Sequence, residues 1–289
     1  MSVTFYTNYT QYSRFDAAAE PSISDQVATM SGGETTGPLY DLVDNRRTNT
    51  LSIDTNGETQ AATIQIETTS SHTNNSFIID NHNLLTADAY YLLGESGTAI
   101  EITSAYSGTY GSEMSADTIS GVGDTVVTVV SDDLSVCNFD NVTGDTWQIV
   151  FADVDDDNFD ADITIGELFF SFSIDTDHNP ELQPIFGYKM PGSSYRETDG
   201  GQRYGFSTHR EYRRSWRLTW KYITDSVKSN LEFAYRVAQG SKYPFYIDLS
   251  GPLGNTNPTL FYVRFMNDLN FTGLTKDAWQ VTVDIEEEI

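Results

Sequence analysis

Residues 50–173 carry eight short runs rich in Val, Ile, Thr and aromatic residues, cut apart by Gly, Asn, Asp and Ser clusters, and no window with sustained helical spacing. The runs predict strands at Thr50–Asp54, Ala62–Glu67, Ser76–Asp80, Ala89–Gly94, Ala99–Thr103, Thr125–Val130, Asp145–Ala152 and Ile163–Ile174. Many short strands joined by turn residues, without intervening helices, call for an antiparallel β-sandwich or jelly roll rather than a parallel sheet. Residues 1–49 hold Gly32-Gly33 and Gly37-Pro38 with few apolar pairs, and are expected to form an extended arm that packs on the jelly roll.

The second half has a different pattern. Trp216, Leu218, Trp220 and Tyr222 alternate with Arg217, Thr219 and Lys221, the period of a strand with one buried face. Thr224 can then cap a helix over about 225–239, with Val227, Leu231, Ala234, Tyr235 and Ala238 as its apolar stripe and Gly240 as its stop. Strands at Pro244–Leu249, Leu260–Met266 and Trp279–Glu286 complete a β-α-β-β-β order. The fold class is therefore mainly β, with an N-terminal sandwich followed by a smaller α+β domain.

Charge places the boundary. The chain carries a formal −26, and residues 1–180 hold all of that imbalance, with Arg14, Arg46 and Arg47 against 29 acids. Residues 181–289 carry 13 basic and 13 acidic residues and are neutral. Such a shift marks two domains meeting near Pro180, expected as a sandwich over 50–178 and the α+β unit over 179–289. The acidic half would repel both a phosphate backbone and an anionic membrane, so neither nucleic acid nor membrane is an expected partner. Met1–Tyr12 lacks a basic stretch followed by an apolar one, and no apolar run reaches the roughly 20 residues of a membrane helix, so export by the general secretory route is not expected. Cys137 stands alone, without the spacing for a disulfide framework or a cysteine zinc site.

Two clusters could carry chemistry. Asp153, Asp155, Asp156, Asp157, Asn158, Asp160 and Asp162 crowd one turn, and alternating carboxylates are what a hard cation recruits. Asp153, Asp155 and Asp157 are the candidate calcium ligands. The competing reading is a solvated hairpin tip, and the helix-loop-helix calcium motif itself is excluded because Thr164 stands at its twelfth position. Arg210, Arg213, Arg214 and Arg217 form the second cluster, with Arg213 and Arg217 on the strand face opposite Trp216. Arginine suits bidentate pairing with carboxylates, so these residues are expected at an inter-domain or inter-subunit interface; a solvated face and a phosphate contact are the alternatives. His72, His82, His178 and His209 show no metal-ligand spacing, no nucleophile motif or cofactor fingerprint occurs, and the expectation is a protein that is not an enzyme.

Asn45-Arg46-Arg47, the run Phe77-Ile78-Ile79-Asp80-Asn81-His82-Asn83-Leu84, and Trp147-Gln148-Ile149-Val150-Phe151 leading to Ile163-Thr164-Ile165-Gly166-Glu167-Leu168 resemble a galactose-binding-like, discoidin-type jelly roll. Arg214-Ser215-Trp216-Arg217-Leu218-Thr219-Trp220, the single helix, Pro244-Phe245-Tyr246-Ile247 and Trp279-Gln280-Val281-Thr282-Val283 resemble tail and baseplate proteins of tailed bacteriophages that share the tail-tube type of fold. The resemblance spans residues 40–289. It implies a structural virion protein, assembled in the host cytoplasm into a closed ring at the tail tip, baseplate or neck, with other tail proteins as partners. The alternative is a carbohydrate-binding adhesin for host surface glycans, and a glycan-degrading enzyme is the third reading. The chain holds 16 Phe, 17 Tyr and 4 Trp, enough to fill two β cores and still supply interface anchors.

Overall fold

The computed structural model of the chain describes residues 3–8, 35–36, 42, 50–55, 62–84, 89–95, 98–104, 113–115, 126–131, 134–153, 160–176, 178–181, 185–189, 194–197, 203–206, 212–255 and 259–288. The strands are β1 Thr4–Asn8, β2 Thr35–Thr36, β3 Leu51–Ile53, β4 Ala62–Asp80, β5 Ala89–Glu95, β6 Thr98–Ser104, β7 Glu113–Ser115, β8 Val126–Ser131, β9 Leu134–Asp153, β10 Ile163–Ile165 and β11 Glu167–Asp175. They continue with β12 Ile185–Lys189, β13 Ser194–Glu197, β14 Arg203–Phe206, β15 Arg213–Ile223, helix α1 Asp225–Val237, β16 Phe245–Asp248, helix α2 Ser250–Leu253, β17 Leu260–Phe265, β18 Phe271–Thr275 and β19 Ala278–Glu287. Two compact units result, one of Tyr6–Ser173 and one of Met1–Phe5 with Ile174–Ile289.

The first unit is an antiparallel sandwich. Strands β4 and β9 pair along most of their length, β11 flanks β4, and β5 and β8 flank β9. A small second sheet, β10-β3-β2, closes the other side. Leu51, Ile53, Ile163 and Ile165 from the small sheet meet Phe77, Ile79, Trp147, Ile149, Phe151 and Phe170 from the large one in a single buried cluster. Rings of Phe77 and Phe170 lie 4.7 Å apart and those of Trp147 and Phe170 5.2 Å apart. Alternation puts these residues on inner faces.

Three strand boundaries differ from the sequence reading. The segments Ala62–Glu67 and Ser76–Asp80 are one strand, with register shifts between Glu67 and His72 and between Asn74 and Ser76. The intervening residues are polar, yet Thr73 pairs with Thr143 and their hydroxyls share a 2.7 Å hydrogen bond, so the ladder does not need apolar side chains there. Its partner β9 likewise begins at Leu134, well before Asp145. The expected strand Ile163–Ile174 is instead broken at Gly166, whose N–H is taken by the carbonyls of Asp80 and Asn81 at 3.1 and 3.0 Å.

The second unit is a sheet in the order β12-β15-β19-β17-β16, with β18 also on β19 and α1 packed by Val227, Leu231, Ala234 and Val237. The Thr224 hydroxyl caps α1 by accepting from the Val227 N–H at 3.3 Å, and Gly240 takes φ 67 just past its end, where only glycine is unstrained. Beyond the predicted elements, the unit contains β12, a β13–β14 hairpin, β18 and the single turn α2.

The first residues depart from the expected arm on the jelly roll. Phe5 is fully buried in the second unit, with its ring 6.2 Å from Trp220, 6.0 Å from Phe245 and 6.4 Å from Phe265. Val3 exchanges backbone and side-chain hydrogen bonds with Thr176. A short strand with an aromatic at its centre finds the deepest apolar site it can reach, and that site lies between β15, β16 and β17.

Candidate functional site

Strand β15 places its arginines on both faces of the sheet. Arg213 and Arg217 point away from Trp216, whereas Arg214 shares the Trp216 face and sits 4.5 Å from the Phe261 ring centre and 6.0 Å from that of Trp216. Each has a carboxylate partner within its own sheet. Arg217 forks onto both oxygens of Asp284, at 2.6 and 2.9 Å, and Arg213 approaches Glu286 at 3.7 Å and Glu288 at 4.0 Å. Arg214 holds Glu287 through Nε at 2.8 Å and through Nη2. The hydrogen bond that Arg214 donates to Glu287 raises its guanidinium pKa above the ordinary value against the opposing effect of partial burial, and the bond to Asp284 does the same for Arg217.

Arg213, Arg214 and Arg217 thus already hold carboxylates of their own sheet, and a contact with the acidic half or with another subunit would add to these pairs. The register puts Arg217 directly opposite Asp284 and Ser215 opposite Glu286, so the nearest anions are those of β19. Replacing Arg213, Arg214 and Arg217 together by Glu should consequently lower the thermal midpoint of the second unit, because like charges would then face each other across β15 and β19. Circular dichroism melts check this, and an unchanged midpoint would mean that the ladder contributes nothing. Arg210 lies outside the described residues.

Strand β12 ends the sheet order, and among the described residues no strand pairs with its second edge. Gly187 lets it approach β15 closely, since a Cβ there would stand 2.7 Å from the Ser215 hydroxyl. Tyr188 lies opposite Arg214 in the register and is 76 % exposed, and Tyr212, two residues before Arg214, is 60 % exposed. Tyr188, Tyr212 and Arg214 thus lie at one end of β12 and β15, with the Phe261 ring of β17 against the Arg214 guanidinium. Exposed tyrosine and arginine around a tryptophan is the composition of an interface anchor rather than of an ordinary solvated surface.

At Tyr222 the alternation fails. The register shifts between Lys221 and Ile223, Tyr222 adopts φ 63, and its side chain is 68 % exposed while Ile223 takes the buried position expected for it. A bulge turns one residue out of the strand and leaves it on the surface. The turned-out ring borders a cleft of about 490 Å³ lined also by His178, Asn179, Pro180, Glu181 and Lys221.

The remaining expected sites are less developed. Asp155 and Asp157 lie outside the described residues, and only the backbone of Asp153, at the end of β9, is described. Among the described residues no group of three or more His, Cys, Asp or Glu side chains is placed to hold a metal. The sequence reading did not anticipate that Asp80 and Glu167, facing each other across β4 and β11, are both fully buried. Asp80 accepts a hydrogen bond from the Asn81 N–H at 2.8 Å, and His82 beside them is buried with Nδ1 facing the Leu84 N–H at 3.4 Å. Asn83 bridges to β10 by accepting from the Thr164 N–H and donating to the Asp162 carbonyl. These polar residues tie the Asp80–Leu84 turn to the small sheet. No described helix is long and apolar enough to cross a membrane.

No family model matches the chain, and no curated protein matches it. Among solved structures, the chain is similar to the CBM32-1 and CBM32-2 domains of Clostridium perfringens ZmpB, with a TM-score of 0.30 and 11 % identity over 49 % of this chain and 34 % of that one. It is similar also to CBM32-1 from a family 31 glycoside hydrolase of Clostridium perfringens, with a TM-score of 0.29 and 11 % identity over 49 % of this chain and 94 % of that one. A further ZmpB structure at the same level, TM-score 0.29, is a complex with GalNAc.

Proposed function

We propose that the protein is a non-catalytic structural component of a tailed-phage virion, which joins copies of itself through the β12 edge of its second unit. The observation that carries the self-association is the pair Tyr188 and Tyr212 flanking Arg214 at that edge; the virion assignment rests on the sequence resemblance. An edge strand offers unpaired backbone donors and acceptors, and large exposed aromatics beside it supply the apolar anchor that such a contact needs. Charge supports the same choice. Residues 181–289 are neutral while residues 1–180 hold the whole −26, so the second unit is the part of the chain that copies can bring together without strong repulsion. A photo-crosslinking amino acid in place of Tyr188 should yield chain-to-chain adducts in the purified protein. Adducts absent at micromolar concentration would remove this edge as the contact.

A second reading, an adhesin that recognises surface glycans, is favoured by one specific feature, the exposed Tyr222 in a cleft lined also by His178, Glu181 and Lys221. The two readings are compatible in one virion protein, because the cleft and the tyrosine pair use different residues.

A further inference from the structure

We infer that the cleft beside Tyr222 binds an uncharged hexopyranose, the terminal sugar of a glycan; this rests on the adhesive reading and supplies its site and ligand class. Holding a tyrosine at φ 63 is unfavourable for a bulky side chain, and such strain persists only where the surrounding structure enforces it. Here the enforcing structure is the buried strand on either side, with Trp220 and Ile223 both fully buried. The result is an aromatic ring presented to solvent on a rigid mount.

The opposite wall is equally fixed. The His178 carbonyl accepts from Trp220 Nε1 at 3.1 Å and from the Thr176 hydroxyl at 3.0 Å, and its ring Nε2 lies 3.0 Å from the Lys221 carbonyl. The Glu181 N–H donates to the Thr219 carbonyl at 2.7 Å. Three of these hydrogen bonds staple residues 178–181 to β15 and the fourth braces the segment internally, so a ligand would not need to order either wall on entering.

The chemistry between the walls suits a sugar. One exposed ring offers a face with negative quadrupole to the C–H groups of a pyranose. Around it Lys221 and Glu181 form an ion pair at 2.6 Å, with both side chains nearly half exposed, so each keeps donors or lone pairs for hydroxyl groups. Because Lys221 and Glu181 offset each other, the cleft has no net charge with which to select an anion. Its volume, about 490 Å³, falls within the usual span of small-ligand sites.

The test is saturation-transfer NMR and calorimetry on the full chain with the methyl glycosides of galactose, glucose and mannose and with N-acetylgalactosamine. At least one should bind, and Tyr222→Gly should weaken it by about tenfold or more. Glycine accepts φ 63 without strain, so the same variant should melt no lower than the parent, which separates loss of the ring from loss of fold. Tyr222→Phe, which keeps the ring, should retain binding. If a sugar binds and Tyr222→Gly leaves its affinity unchanged, the cleft is the wrong place and the adhesive reading stands. If none of the four sugars binds the parent protein, the cleft inference is overturned.

Discussion

Phe5→Ala should destabilise the second unit by about 3–5 kcal/mol, the usual cost of emptying a fully buried aromatic site. The ring is enclosed by Trp220, Phe245 and Phe265, three residues that themselves have almost no exposure, so the cavity has little freedom to collapse. Against a typical total of about 5–15 kcal/mol, that loss is a large fraction of the unit's stability. Tryptophan fluorescence reports it directly, since Trp216, Trp220 and Trp279 lie in this unit and Trp147 alone in the other. A urea midpoint unchanged by the substitution would mean that the first strand is not part of this core. A fragment beginning at residue 184 should fold poorly for the same reason. It lacks Phe5, and it lacks the His178 carbonyl that accepts the Trp220 indole N–H.

Placement of Phe5 could not have been read from the sequence. Nothing local distinguishes a strand that pairs with its neighbours from one that pairs with residues far along the chain, and Gly32-Gly33, Gly37-Pro38 and few apolar pairs in residues 1–49 argued for an extended arm on the neighbouring jelly roll. Helix α1 was legible for the opposite reason. Its cap at Thr224, its stripe at Val227, Leu231 and Ala234 and its stop near Gly240 are all local signals, and the structure uses each of them.

The sites divide in the same way. Alternation correctly set Trp216, Leu218 and Trp220 in the core, but it carried Tyr222 in with them, because a bulge changes the phase of a strand without any required residue type. It is the failure of the pattern that creates the cleft. The arginines were legible as carboxylate ligands and illegible as to which carboxylates, since Asp284, Glu286 and Glu287 become their neighbours only through the β15–β19 register. Tyr188 drew no notice in the sequence because a single tyrosine beside a glycine has no periodicity; its meaning comes from being on the last strand of the sheet.

Tyr188→Asp combined with Tyr212→Asp should abolish self-association while leaving the melting of the monomer nearly unchanged. Both side chains are mostly exposed, so neither contributes much to the core, whereas two carboxylates at the centre of an interface would be desolvated without partners there. Native mass spectrometry of the parent chain and this double variant, side by side at micromolar concentration, tests the assembly reading most directly. The parent should give a single closed species at a whole-number multiple of the 32.2 kDa chain, and the variant the 32.2 kDa chain alone. A parent that remains at 32.2 kDa, or a variant that assembles as the parent does, would contradict it.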